Sequence, residues 1–193
     1  ISETPWMLDA ESEEEKKNRI ALLFDLDKMK GELDANFKKL DDKQLGSGGF
    51  AWFGSDTANS YITRHILAGF GHLNRLNIKS ANQADVDALT KAGINYTDTE
   101  FLKSRKADAS WRKKNKSFRI AYSDSDLHYL YMRSFYLQQY PLNDSLKSVI
   151  KNYTNSAKEN WLTYSLYDKG MAALALHRFG DTITSKKIIA SLK

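Results

Sequence analysis

Two kinds of helical pattern alternate along this chain, and the alternation restricts its fold more than any other feature. Over residues 13–43, apolar side chains recur at three- and four-residue steps on one face, and the opposite face is charged. These apolar positions are Ile20, Leu23, Phe24, Met29, Leu33, Phe37 and Leu40. Residues 59–76 are instead apolar on most faces, with Arg64 and Arg75 as the only formal charges. A helix of this second kind is buried on most sides.

The alternation continues to the end of the chain. Ser80 with Gln83 is typical of a helix start, and Pro141 ends an apolar and aromatic run. Gly180 and Asp181 separate the last two helices. The predicted helices after residue 80 cover 81–92, 99–115, 127–140, 144–159, 163–178 and a final segment that reaches the end of the chain.

These patterns predict an all-α fold in which inner helices are shielded by outer ones. Proline occurs only twice, so little interrupts the helices. In a simple bundle all helices would be amphipathic alike, whereas two concentric layers of antiparallel helices account for the alternation. The inner helices then all begin at one end, beside the loops 46–58, 120–126 and 160–164. We expect residues 1–193 to form one helical domain and, since the chain begins at Ile1, to be a piece of a larger multidomain protein.

The loop 46–58 combines glycines with aromatic residues in an unusual density. The stretch "GSGGFAWF" holds Gly46, Gly48, Gly49, Phe50, Trp52 and Phe53. Glycines permit a sharp turn from an outer to an inner helix, and buried aromatic rings fill the space beneath such a turn. We therefore predict that Phe50, Trp52 and Phe53 plug the ring of inner helices.

The turn and the helix after it, "KQLGSGGFAWFG…NSYITRHILAGFGHL", resemble a family. They are similar to the Gln-x-x-x-Gly-Gly-aromatic turn and first inner helix in the thioester-domain α/α toroid of bacterial (Bacteroides-type) alpha-2-macroglobulins. Three further segments resemble this family in order: "ETPWMLDAESEEEKKNRIALLFDL", "HYLYMRSFY" and "NWLTYSLYDKGMAALALHRFGDTITSKKIIASLK". The resemblance implies an α/α toroid, here an incomplete ring made from the later part of the domain.

The resemblance also implies a function. Proteins of this family trap proteases in the periplasm or cell envelope, and a cysteine–glutamine thioester in the toroid domain acylates the attacker. This chain contains no cysteine and so no Cys-x-x-Gln motif, which in the family lies before the region matched. The implied role is a non-catalytic module that supports a thioester region outside this chain. Its implied partners are proteases, through the parent protein, and other domains of the same parent chain.

The resemblance places an interaction surface at one end of the ring. Phe50, Trp52, Phe53, Tyr61 and His65 are expected there, giving the surface its shape rather than its chemistry. A rival reading is an α/α-toroid enzyme of the cyclase, lyase or glycosidase type, since residues 44–50 are similar to the Gln–Trp repeats of triterpene cyclases. Such enzymes need clustered carboxylates, and the inner helices offer only Asp168 and Asp126. A passive helical scaffold is the third reading.

Metal ligands and cofactors are not indicated by the sequence. Asp124 and Asp126, close to His128, lie at a predicted helix start, where aspartate is favoured as a cap. His65 and His72 stand two turns apart with neither cysteine nor a third histidine nearby, so we expect core or ring-lining histidines.

Nucleic acid and membrane insertion are also not indicated. Residues 103–119 carry eight Lys or Arg against one Asp, with Trp111 and Phe118 among them, yet no nucleic-acid motif accompanies them. A lysine-rich outer helix is typically a solvated face, and the net charge of +5 is modest. The longest apolar runs, such as "IALLF" at 20–24, are too short to span a bilayer.

Overall fold

The computed structural model describes residues 12–52, 55–80, 82–116 and 123–192, and it confirms the all-α class. Within these ranges β-structure is limited to isolated bridges, which join Gln44 to Phe50 and Ala51 to Ala58. The helices are α1 (Glu13–Asp41), α2 (Ser60–Arg75), α3 (Gln83–Lys114), α4 (Asp124–Arg133), α5 (Asp144–Asn160), α6 (Leu166–Arg178) and α7 (Thr182–Ala190). Short 3₁₀ turns, Ser134–Tyr136 and Trp161–Thr163, follow α4 and α5.

Helices α2, α4 and α6 contact one another in chain order and form what we call the apolar row. At the start of α2 and α4, the Arg64 Nη1 donates a hydrogen bond to the Ser125 carbonyl oxygen at 2.6 Å. At the far end of α4 and α6, the Arg178 Nη1 donates to Ser134 Oγ at 3.1 Å. These contacts at matching ends mean that the three helices run parallel to one another.

Helices α1, α3 and α5 form a second row, the charged row, in which neighbours in chain order also touch. Helix α3 runs antiparallel to α4. Its Arg105 reaches Asp126 at the start of α4, with 3.4 Å between Nη2 and Oδ1. Its Asp87 accepts a hydrogen bond, through the carbonyl oxygen, from Tyr140 beyond the other end of α4. The connection from α3 to α4 therefore reverses the chain.

Helix α3 corrects the prediction of two separate helices at 81–92 and 99–115. Its N-cap is Asn82, while Ser80 donates to Asp34 Oδ1 at 2.6 Å instead of capping. Gly93 does not break the helix, because it lies where α2 approaches closely. A Cβ at Gly93 would sit 3.0 Å from Leu67 Cδ2, so the missing side chain is used for packing.

Helix α1 is continuous through Gly31, but its apolar stripe is not a core face throughout. Phe37 and Leu40, in its last turns, pack against the core. Ile20, Phe24 and Met29 are exposed, with Phe24 at 70%. The prediction that the whole stripe is buried is therefore wrong for the first half of the helix, because α3 contacts only the part of α1 near its end.

Helix α4 is the most buried element, and a polar network anchors its side toward α3. Arg133 is 1% exposed, and its Nε donates to Asp98 Oδ1 at 3.0 Å. Its Nη2 donates to the Tyr140 carbonyl oxygen at 2.7 Å. Tyr129 donates to the same Asp98 oxygen at 2.6 Å. A buried arginine is tolerated because it has both a counter-charge and hydrogen-bond acceptors. The predicted run to residue 140 ends as α-helix at Arg133.

Candidate functional site

The glycine-rich turn is fixed by side-chain to backbone hydrogen bonds. Gln44 Nε2 donates to the carbonyl oxygens of Gly48, at 2.8 Å, and of Leu89 on α3, at 3.0 Å. Gly48 has φ +86°, a conformation that other residues adopt only at a cost, and a Cβ there would collide with the Ala92 carbonyl oxygen. The turn is therefore shaped to pack directly against the backbone of α3.

The aromatic residues of the turn separate into a buried and an exposed one. Phe50 is 1% exposed, and its amide donates to Thr63 Oγ1 on α2 at 2.9 Å, which confirms that this residue is buried beneath the turn. Trp52 is 49% exposed, so the prediction that it plugs the ring is wrong. Trp52 follows Ala51, which forms an isolated antiparallel bridge with Ala58. Phe53 lies outside the described residues.

Tyr61 and His65 come together with a residue of α4 that spacing alone did not connect to them. Both are exposed, Tyr61 at 53%, and their ring centroids lie 6.3 Å apart. The His128 ring lies 5.6 Å from that of Tyr61 and 6.3 Å from that of His65. Of the two predicted alternatives, core or ring-lining, the structure excludes a core position for His65, because it lies on the exposed side of α2.

The same surface continues toward the ends of α2 and α4. His72 Nε2 and Tyr131 Oη share a hydrogen bond of 2.6 Å, and the His72 ring meets the Phe135 ring edge-on at 4.8 Å. His72 is exposed as well, so it is not a core histidine either. We call the whole surface the aromatic–imidazole face. It consists of Tyr61, His65 and His72 on α2, His128 and Tyr131 on α4, and Phe135 in the following 3₁₀ turn.

Tyr131, Phe135 and Arg178 are members or neighbours of this face that sequence reasoning missed. Residues 61, 65 and 72 share one side of a helix, as do 128, 131 and 135. A search for aromatic and imidazole residues at helical spacing would have found both sets. The pairing of the two sets could not be found that way, because it depends on how α2 and α4 are aligned.

His128 is a buried member of this face, and its imidazole is neutral at pH 7. It is buried, and its Nδ1 has no hydrogen-bond partner among the described residues. Burial, together with the charges of Arg64 and the nearby His65, lowers the pKa of His128 to about 4. A neutral imidazole at pH 7 can accept or donate one hydrogen bond to a ligand. Within the described part of the chain, no three His, Asp or Glu side chains are grouped so that they could hold a metal ion.

The acidic residues singled out from the sequence are committed to helix starts. Ser123 caps α4, and its amide and hydroxyl both donate to Asp126 Oδ2, at 3.0 and 2.8 Å. This capping box confirms the structural reading of Asp126. Asp168 accepts from Ser165 Oγ at 2.6 Å at the start of α6. Asp124 is exposed in the first turn of α4. The carboxylates at the starts of α4 and α6 thus serve the helices.

A polar cleft of about 220 Å³ lies between the starts of α2 and α4 and the middle of α3. Arg64, Glu100 and Asp126 are its charged lining residues. Arg64 is buried there and donates to the Ser60 carbonyl oxygen as well as to Ser125. Because Nη1 and Nη2 of Arg64 both donate to Ser125 of α4 and Nε donates within α2, the guanidinium has a structural role.

The basic segment of α3 is partly neutralised by its own acids. Asp108 lies 3.1 Å from Arg112 Nε and 4.0 Å from Arg105 Nη1. Trp111 is exposed among these charges, and Phe118 lies outside the described residues. No helix in the described part of the chain is long and apolar enough to span a bilayer.

The chain matches no family model, no curated protein and no solved structure. A functional interpretation therefore has to start from the geometry described above.

Proposed function

We propose that this chain is a non-catalytic helical module of an alpha-2-macroglobulin-like protease trap. In this proposal it forms the later part of an α/α toroid and supports a thioester region that lies outside the chain. The parent protein would act in the periplasm or cell envelope as an endopeptidase inhibitor. This module would contribute a shaped surface to protein partners, namely the trapped protease and neighbouring domains of the parent.

The two-row arrangement is the observation that carries this proposal. The parallel helices α2, α4 and α6 form one row, α1, α3 and α5 form the other, and the chain reverses from α3 to α4. An α/α toroid consists of repeated pairs of this kind. The Gln44 turn, with its two hydrogen bonds to Gly48 and Leu89, supports the same assignment, because the resembling family has a Gln-x-x-x-Gly-Gly-aromatic turn at this point.

The chemistry of the aromatic–imidazole face supports a binding role rather than catalysis. Its exposed members are Tyr61, His65 and His72, groups that suit packing and hydrogen bonding. Asp126 and Asp168, the carboxylates that an α/α-toroid enzyme would need in its cavity, are engaged as helix caps. We therefore favour the trap over the enzyme.

The test is the intact mass of the full-length protein with and without methylamine, a small nucleophile that opens thioesters. We expect one methylamine adduct on the folded protein and its loss when the upstream cysteine is replaced by alanine. Exposure to a protease before the measurement should abolish the adduct, since the thioester has then reacted. A protein that gains no adduct on its own, and none when methylamine is present while a protease activates it, would overturn the proposal.

A further inference from the structure

The end of the apolar row away from the glycine-rich turn carries an arginine in an unusual setting. Arg178, the last residue of α6, lies with its Cζ 3.8 Å above the centroid of the Phe135 ring. The Tyr131 ring packs edge-on against Phe135, with centroids 5.4 Å apart, and extends this aromatic floor. The Arg178 Nη1 donates to Ser134 Oγ on the neighbouring element. The guanidinium is thus positioned by α4 rather than by the end of its own helix.

Arg178 is half-buried, yet no carboxylate in the described ranges pairs with it. Two other arginines of the described chain differ in this respect. Arg133 pairs with Asp98 and Arg105 with Asp126. A partly desolvated cation without a counter-ion is electrostatically unfavourable in the free protein. A bound anion would remove that unfavourable energy.

Further polar and cationic groups stand beside Arg178. Arg75, in the last turn of α2, is near enough for its charge to lower the pKa of Arg178, although burial is the larger cause. Arg75 also has no ion pair among the described residues. His72 is hydrogen-bonded to Tyr131, which is part of this aromatic floor. Positive charge and hydrogen-bonding groups therefore converge from α2, α4 and α6.

We infer that Arg178, Arg75 and His72 form a binding site for a carboxylate, with Phe135 and Tyr131 as its floor. A guanidinium stacked on a ring keeps its N–H groups free at the edge, where they match the two oxygens of a carboxylate. Leu174, one turn before Arg178 on α6, is exposed beside it. The ligand is therefore a carboxylate carried by an apolar or aromatic group, such as a free aromatic acid or the terminal carboxylate of a peptide. The inference rests on contacts within this chain and not on the proposed protease trap.

The test is an NMR titration of this chain with N-acetyl-phenylalanine and, as a neutral matched probe, its carboxamide. Benzoate serves as the free-acid arm. We expect saturable shifts of backbone amides near 72–75, 131–136 and 174–179 with both acids, and none with the carboxamide. Benzoate binding as tightly as N-acetyl-phenylalanine would assign the site to small aromatic acids, and weaker benzoate binding would assign it to a peptide terminus.

Substitutions then connect the binding to the named groups. Arg178→Gln should weaken binding by about tenfold or more, because a charge-assisted pair is lost. Arg178→Lys should fall between wild type and Arg178→Gln, since the charge stays and the planar fork is lost. Arg112→Gln on α3 is the matched control and should bind as wild type does. If Arg178→Gln does not fold, Arg75→Gln on the exposed end of α2 provides the test, with about threefold weaker binding expected.

Equal binding of acid and carboxamide, undiminished binding by both Arg178→Gln and Arg75→Gln, or no saturable shift with either acid would overturn the inference. None of these results bears on whether the full-length protein forms a methylamine adduct.

Discussion

The two sides of α4 use similar residues for opposite purposes. Toward α3, Tyr129 and Arg133 share the carboxylate of Asp98, and the guanidinium also donates to backbone carbonyls. Toward the aromatic–imidazole face, His128 has a nitrogen, and Tyr131 packs beneath an arginine, for which the described residues supply neither a hydrogen-bond partner nor a counter-ion respectively. Satisfied polar groups fix the position of a helix, while unsatisfied ones leave binding capacity. The comparison indicates that α4 separates stability from recognition.

The largest loss of stability should come from breaking the hydrogen-bond network on the side of α4 that faces α3. Arg133→Met leaves the Asp98 carboxylate, 14% exposed, without its charge partner and the Tyr140 carbonyl without a donor. Loss of one member of a buried ion pair lowers the free energy of unfolding by about 3–5 kcal/mol. Urea denaturation of the variant and wild type measures this difference.

A matched control for this prediction is Arg112→Met, which breaks the more exposed pair with Asp108 on α3. That change should lower the free energy of unfolding by no more than about 1 kcal/mol. Equal losses in the two variants would mean that the network around Asp98 does not anchor α4.

Two glycines on α2 test how tightly this helix packs against the 3₁₀ turn after α4. A Cβ at Gly71 would lie 2.5 Å from Phe135 Cγ, whereas a Cβ at Gly69 meets nothing within 4 Å. Gly71→Ala should destabilise the protein by about 1–3 kcal/mol through overpacking. Gly69→Ala should stabilise it by about 0.5–1 kcal/mol, because alanine favours the helix. Thermal unfolding of both variants should therefore show shifts of opposite sign, and shifts of the same sign would contradict this packing.

The sequence predicts much of this fold because local signals are strong. The bounds predicted for α1, α2 and α5 lie close to the observed ones, and Gly180 with Asp181 separates α6 from α7 as predicted. The sequence did not predict the features of the fold that depend on tertiary contacts. Gly93 looks like a weak point of a helix until Leu67 is found against it. Likewise the aromatic density of the loop predicts Trp52 as a buried residue, yet its side chain is half exposed.

The candidate site was predictable to a smaller extent. Tyr61 and His65 follow from helical spacing on α2, but their neighbour His128 lies 63 positions after His65 and belongs to another helix. The contact between Arg178 and Phe135 joins the end of α6 to a 3₁₀ turn. No period in the sequence encodes such a contact, because it arises from the relative alignment of parallel helices.

His128, on the side of α4 toward the aromatic–imidazole face, should make the free energy of unfolding depend on pH. The pKa of His128 is about 4 in the folded protein, against 6.5 for the ordinary imidazole. Between these values the unfolded chain binds a proton that the folded protein does not, so stability is full above about pH 6.5 and declines toward pH 4. At pH 5 the decline attributable to His128 should be about 1–2 kcal/mol. Urea denaturation at pH 7 and pH 5 measures it.

His128→Phe keeps a ring in place and removes the titrating group. The variant should match or exceed wild-type stability at pH 7, because Nδ1 has no partner to lose, and it should lack this part of the decline. An identical pH dependence in both proteins would show that His128 is not kept neutral by the fold.

The smallest effect on stability is expected at the outer edge of the aromatic–imidazole face. Tyr61 is half exposed, and its ring contacts are to His65 and His128, so Tyr61→Ala should change the free energy of unfolding by no more than about 0.5 kcal/mol.

Burial is the largest cause of the low pKa of His128, and Tyr61 covers part of that ring. The variant should therefore raise the pKa of His128 toward 6.5, as an NMR titration of the imidazole C–H signals would measure. Tyr167→Ala on α6, which is also exposed but has no ring contact to His128, should leave that pKa unchanged. If Tyr61→Ala instead destabilised the protein as strongly as Arg133→Met, both sides of α4 would be structural, and the separation of stability from recognition would fail.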